Sequence, residues 1–194
     1  MIGLVLCGGK SIRMGSDKGL LKLEAKTWAQ TAADKFIDLG IPFVLSVNNM
    51  QSEAYQGIFP PDQLIKDNEL LNFHAPLAGV LSIHMQHPDK DIFVLACDMP
   101  MMENMIMKKL LEQYQNNNEP DAYVFTNGNE PEPLCAIYKA KGLASILSLY
   151  HANGLKKYSM KFMLDHLNVH RTPLKEEEKK AFRNFNAHAE LNGL

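Results

Sequence analysis

Cysteine is scarce, charge of either sign is not in excess, and no long apolar run exists; each of these absences excludes something. The three cysteines, Cys7, Cys97 and Cys135, are odd in number, far apart and set in apolar runs. They read as reduced, strand-borne small hydrophobes, and a disulfide scaffold is excluded. Twenty Lys and Arg against 22 Asp and Glu leave a formal net charge of −2, which argues against a general nucleic-acid or anionic-membrane binder. A local basic cluster could still hold phosphates. No apolar stretch approaches the ~18 residues of a membrane span. Met1–Leu6 is a short apolar run with no basic residue ahead of it, so it does not read as a signal peptide, and the expected location is the cytoplasm. What is present is ordinary: 194 residues, 46% of them apolar. A domain of that size buries roughly 70% of its unfolded surface and needs no metal staple. With no internal repeat or low-complexity linker, residues 1–194 are expected to form one domain.

Short apolar runs alternate with helical patterns along the chain. Leu4–Cys7 reads as a buried strand closed by Gly8-Gly9. Thr27 opens a helix with Gln30 three residues on, as in a capping box; Trp28, Ala32 and Phe36 share a face, and Gly40 and Pro42 stop it. Phe43–Val47 and Gln63–Lys66 are further strands, Leu77–Met85 a helix, and Ile92–Cys97 a strand apolar throughout, hence covered on both faces. A helix with Ile106, Leu110 and Tyr114 on one stripe follows. Ala122–Phe125 and Leu134–Tyr138 flank a polar turn with Asn127-Gly128, expected as a long hairpin loop. Leu143, Ile146, Leu147 and Tyr150 form a helical stripe, as do Met160, Met163, Leu164 and Leu167, and the charge run Glu176–Lys180 reads as a solvated turn or helix start. This alternation predicts an α/β domain with a mostly parallel, Rossmann-like sheet flanked by helices.

Chemistry concentrates in Leu6-Cys7-Gly8-Gly9-Lys10-Ser11-Ile12-Arg13-Met14-Gly15-Ser16-Asp17-Lys18. It follows the first strand, in the crevice beyond strand carboxyl ends where open α/β sheets bind ligands. Glycines there allow close backbone approach and expose N–H groups to phosphate, while Arg13 and Lys18 add positive charge suited to a polyphosphate. A P-loop fails because Leu4 stands where its first glycine belongs, and Gly-x-Gly-x-x-Gly fails because Lys10 follows Gly8-Gly9. Asp98, ending the most buried strand, points into the same crevice and is placed to hold Mg²⁺; it could also cap the helix that follows Pro100. Asp67 could be a turn carboxylate, and Asn48 a simple loop residue. The pairs His84/His87 and His166/His170 have no third ligand at metal spacing, and Gly-x-Ser-x-Gly is absent.

Gly8-Gly9-Lys10-Ser11-x-Arg13-Met14-Gly15-x-Asp17-Lys18 resembles the signature of the molybdenum cofactor guanylyltransferases, within the Rossmann-like nucleotidyltransferases. The likeness extends to Asn48, Asp67, Ala75-Pro76-Leu77-Ala78-Gly79, Cys97-Asp98-Met99-Pro100, Glu132-Pro133-Leu134 and Phe182-Arg183-Asn184-Phe185-Asn186. Two departures stand out: Cys7 replaces the usual alanine of Leu-Ala-Gly-Gly, and Ala187–Leu191 replaces the usual Thr-Pro-Glu-Asp-Leu, losing a proline at the helix start. The resemblance implies transfer of GMP from GTP to molybdenum-molybdopterin with release of pyrophosphate. It implies Arg13, Lys18 and Asp98 as catalytic residues, Mg²⁺ on Asp98, and nucleotide binding by Leu6, Cys7, Gly8, Gly9, Lys18, Asn48, Asp67 and Asp98. Residues up to about 100 would hold the nucleotide and those from about 101 to 194 the acceptor, with molybdoenzyme-maturation proteins as further partners. A relative using CTP or another phosphorylated acceptor, and a non-catalytic cofactor-delivery module, are the alternatives. CTP users tend to show Pro-Lys where this chain has Asp17-Lys18.

Overall fold

Ile2–Leu6 (β1) lies at the centre of the protein, its apolar side chains covered on both faces by helices. The computed structural model describes residues 1–7 and 17–185. The expected ligand residues Gly8, Gly9 and Arg13, and the departure at Ala187–Leu191, lie outside the described residues.

The hairpin Lys22–Leu23 (β2) and Lys26–Thr27 (β3) leads into Trp28–Asp38 (α1). The capping box forms as the sequence predicts: Thr27 Oγ1 accepts from Gln30 N at 3.2 Å, and Gln30 Oε1 accepts from Thr27 N at 2.9 Å. At the other end Gly40, at φ +67°, closes a Schellman turn in which Gly40 N–H donates to Ile37 and Ile41 N–H to Phe36. Phe43–Val47 (β4), Ser52–Gln56 (α2), Leu64–Lys66 (β5), Pro76–Gln86 (α3), Ile92–Ala96 (β6) and Asn104–Asn116 (α4) follow. The chain then runs through Ala122–Asn127 (β7), Glu130–Tyr138 (β8), Ala140–His151 (α5), Met160–Leu164 (α6) and Val169–Pro173 (β9).

Among the described residues seven strands form one sheet in the order β5-β4-β1-β6-β8-β7-β9, in which only β8 runs against its neighbours, while β2 and β3 pair apart from it. This is the expected mostly parallel α/β sheet. Alternate residues of the strands feed two cores. Val5, Leu45, Phe93, Leu95, Phe125 and Ile137 pack under α1 and α4; Leu4, Val94, Val124 and Ala136 pack under α3, α5 and α6. The chain leaves β1 towards β4 and β5 on one side, then returns through α3 to β6 on the other. The sheet therefore switches direction at β1, where open α/β sheets leave a crevice beyond the carboxyl ends.

Three elements differ from expectation. The expected long loop is instead a tight two-residue hairpin turn, Gly128-Asn129, with Gly128 at φ +60° and Asn127 paired with Glu130, because β7 and β8 extend further than their apolar stretches. The predicted stripe ending at Leu167 is helical only to Leu164, and a half-exposed edge strand, β9, follows. The charge run lies in a 3-10 helix, Glu176–Phe182, which is tied to α4 rather than merely solvated: Lys109 pairs with Glu178 at 2.7 Å and Glu103 with Lys180 at 3.7 Å. Among the described residues no helix is long and apolar enough to cross a membrane.

Candidate active site

Four strands deliver polar residues to one rim, since Cys7, Asn48, Asp67 and Asp98 all stand just past the carboxyl ends of β1, β4, β5 and β6. The two innermost ends are locked together. Cys7 N–H donates to Ser46 O at 3.1 Å and Cys97 N–H to Leu6 O at 3.1 Å. The backbone of Leu6 and Cys7 is thereby committed to the sheet up to the residue where the glycines begin.

Asp98 and Lys18 meet over this platform. Lys18 Nζ lies 3.4 Å from Asp98 Oδ2, with both side chains about a quarter or less exposed (26% and 21%). Asp98 Oδ1 is buried without a hydrogen-bond partner among the described residues. Such an atom in a native protein calls for an explanation, and an unmet carboxylate oxygen beside a lysine suits a divalent cation that completes its sphere with phosphate and water. Burial pushes the Asp98 carboxyl above the ordinary range and the Lys18 ammonium opposes that rise. The helix-cap reading of Asp98 is corrected: α4 begins only at Asn104, after Glu103, so the Asp98 side chain is left for the crevice. Its backbone is held from the far end of the chain, where Phe185 N–H donates to Asp98 O at 3.0 Å and the Phe185 ring packs edge-on against Trp28.

Lys18 is presented by the residue before it. Asp17 caps a short 3-10 turn, Lys18–Leu20, by accepting from Gly19 N–H at 2.9 Å. Close approach favours glycine at 19, because a Cβ there would collide with the buried Tyr55 hydroxyl. Tyr55 donates to Asp17 Oδ1 at 3.1 Å, and burial holds its phenol protonated. The thiol of Cys97 is also held protonated, first by its hydrogen bond with Cys7 and then by burial. A neutral thiol is a poor nucleophile, so Cys97 is not set up to attack a substrate.

Asn48 Oδ1 closes an Asx turn, accepting from Met50 N and Gln51 N at 3.0 Å each. Asp67 Oδ1 accepts from Ser46 Oγ at 2.9 Å, and burial pushes its carboxyl up against the opposing pull of that hydroxyl and of His74. Gly79 makes this arrangement possible, since a Cβ on α3 would meet Ser46 Oγ and Leu6. Lys18 and Asp98 are thus in contact, whereas Asn48 and Asp67 are joined to the centre through Gln51 and Ser46. Sequence reasoning misses both of these connecting residues; the Asn48-x-x-Gln51 spacing of an Asx turn is the available signal.

The MobA-like NTP transferase domain family matches residues 3–168. The chain belongs to this family. A probable molybdenum cofactor guanylyltransferase of a Geobacillus species is 27% identical over 196 residues, covering 100% of this chain and 97% of the relative. A molybdenum cofactor guanylyltransferase of Campylobacter jejuni is 29% identical over 191 residues, covering 96% and 91%. Among solved structures, the molybdopterin-guanine dinucleotide biosynthesis protein A of Archaeoglobus fulgidus superposes with a TM-score of 0.79 at 22% identity, over 100% of this chain and 96% of that one. The protein is accordingly a nucleotidyltransferase, with the Rossmann-like fold of that group.

Proposed function

We propose that this nucleotidyltransferase moves GMP from GTP to the terminal phosphate of molybdenum-molybdopterin and releases pyrophosphate. The observation that carries the proposal is the Lys18–Asp98 pair at the switch point, with one carboxylate oxygen unmet among the described residues. Full-length similarity to proteins named for this activity supports the choice of substrates.

An acceptor phosphate oxygen attacks the α-phosphorus in line; one P–O bond forms, and the bond to the bridging oxygen breaks as pyrophosphate leaves. Catalysis of this kind consists mainly of positioning and charge stabilisation. Lys18 and Arg13 neutralise charge on the triphosphate and on the departing pyrophosphate. Asp98 would hold Mg²⁺, which would supply positive charge to offset that of the phosphates. Leu6, Cys7, Gly8 and Gly9 let backbone and nucleotide close up, while Asn48 and Asp67 serve base and ribose. A carboxylate such as Asp67 accepts from guanine N1–H and the exocyclic amine, and adenine offers no donor at N1.

The nucleotide half, about residues 1–100, contains all of these groups. Acceptor binding falls to about 101–194. Support comes from β8, which runs antiparallel to β6 with Leu95 opposite Cys135, so that Glu132 and Pro133 extend past the end of β6 on the Asp98 side. The reaction is placed in the cytoplasm, with molybdoenzyme-maturation proteins taking up the product. The test is pyrophosphate release with GTP, ATP or CTP, Mg²⁺ and molybdenum-molybdopterin. GTP-dependent release supports the assignment. Equal use of ATP and GTP overturns it, CTP preference selects a cytidylyl-transferring relative, and binding without release selects a delivery module.

A further inference from the structure

One side chain joins the two described residues that flank segment 8–16. Gln51 Nε2 donates to Cys7 O at 3.1 Å and to Asp17 Oδ2 at 2.7 Å, while Gln51 Oε1 accepts from Asn48 N at 3.0 Å. The other oxygen of Asp17 accepts from Gly19 N–H and from the Tyr55 hydroxyl. Every polar group of the Gln51 amide is thus directed at backbone or carboxylate belonging to the nucleotide rim. Gln51 stands immediately before α2, whose Tyr55 is buried in the core beneath the sheet, so the Gln51 backbone is anchored while its side chain reaches the rim.

We propose that Gln51 is a positioning residue for nucleotide transfer, clasping Cys7 to Asp17 and thereby setting the height of the Lys18 turn over Asp98. It touches neither substrate nor metal; it acts through Asp17. The inference rests on the nucleotidyltransfer reading above. It follows from geometry that a primary amide is needed at 51. A carboxylate there keeps its acceptor bond to Asn48 N–H, but turns its second oxygen towards the Cys7 carbonyl and the Asp17 carboxylate, both acceptors. An asparagine at 17 relieves the Asp17 half of that clash, because its amide can donate to the carboxylate introduced at 51 while its Oδ1 still accepts from Gly19 N–H and Tyr55; the contact with the Cys7 carbonyl stays unfavourable.

The experiment is a cycle of Gln51→Glu, Asp17→Asn and the double variant in the full chain. Titration with Mg²⁺-GTP, steady-state kinetics and melting without ligand are the three readouts. Gln51→Glu is expected to weaken Mg²⁺-GTP binding by about tenfold or more, the scale of one charge-assisted hydrogen bond. The KM for the molybdopterin acceptor should stay near the wild-type value, a split that general loosening of the fold would not give. The double variant, which restores the link to residue 17 but not to Cys7, should bind at least about threefold more tightly than Gln51→Glu alone. Gln51→Glu binding within about twofold of wild type, or a double variant no better than Gln51→Glu alone, overturns the proposal. If Gln51→Glu does not fold, Gln51→Ala removes both donations without adding charge; an unchanged nucleotide affinity there overturns the proposal, and a weakened one with unchanged acceptor KM supports it. Failure of the guanylyl reading is separable: should the wild type select CTP, the same cycle run with Mg²⁺-CTP judges Gln51 by the same criteria.

Discussion

At the amino ends of β6 and β7 stand Asp91 and Asp121; at the carboxyl ends of β5 and β6 stand Asp67 and Asp98. Asp91 accepts from Tyr114 Oη at 2.7 Å and Ala140 N at 2.8 Å, so both its oxygens are used. Asp121 accepts from Asn168 N at 3.1 Å and faces Lys141 at 3.3 Å. Lys139, nearly buried on that same rim, donates to Asn118 and lies over the Tyr114 ring. On the opposite rim Asp98 keeps one buried oxygen without a partner among the described residues, beside a lysine. The same residue types are spent on holding connections at one end of the sheet and left with capacity at the other. Charge that is internally satisfied stabilises a fold, and charge that is not satisfied awaits a ligand.

The largest effect that would break this comparison is expected from Asp98→Asn. The substitution keeps the side chain's size and one acceptor but removes the anion. Turnover should fall by about 10³-fold, the scale of losing a central electrostatic group in a dry site. The melting temperature should hold or rise, because a carboxyl pushed up by burial is one whose charge the fold tolerates at a cost. Near-normal turnover at low Mg²⁺, measured by pyrophosphate release, would remove Asp98 from the metal.

Lys18→Ala should cost about 10²-fold in kcat/KM. Its effect on stability should stay within about 0.5 kcal/mol, as for partly exposed single charges. An early-melting variant of full specific activity would make this lysine structural. Asp91→Ala should behave in the opposite sense. It strips partners from the Tyr114 hydroxyl and the Ala140 N–H, which costs about 1–3 kcal/mol in urea unfolding. Turnover per folded molecule should be unchanged. A catalytic defect there would erase the distinction between the rims.

Much of this arrangement is legible in the residues alone. Strand and helix alternation yields the sheet because β1, β4 and β6 are apolar on both faces, and Thr27 with Gln30 fixes a helix start by a local bond. The candidate pair Lys18 and Asp98 is legible because each sits beside a strand end or glycine segment. The edge strand β9 is not, since Val169–Pro173 is half exposed and carries no clean alternation. Nor are the supporting bonds. Gln51 reaches Asp17 and Cys7 across 34 and 44 positions, and Ser46 reaches Asp67 across 21. Local periodicity carries no information about partners that only the sheet topology brings together.

The smallest expected effect sharpens the comparison within the functional rim itself. Burial raises the Asp67 carboxyl, and the Ser46 hydroxyl and His74 oppose that only in part. An acid whose folded value lies above its unfolded one binds its proton more tightly in the folded state. Its contribution to stability is then greatest at low pH and declines as pH rises from the unfolded value, about 3.9, towards the raised folded one. Above that window the buried charge is a standing cost. Asp67→Asn removes the charge and keeps an oxygen for the Ser46 hydroxyl, so it should melt higher than wild type at pH 8. The gap should close as pH falls below the ordinary carboxylate range, where wild-type Asp67 is itself protonated. The same variant should bind Mg²⁺-GTP less well at pH 8, if the carboxylate receives the guanine donors. Higher melting with weaker binding marks a group kept charged for its ligand; lower melting at pH 8 would class Asp67 with Asp91, a carboxylate that serves the fold.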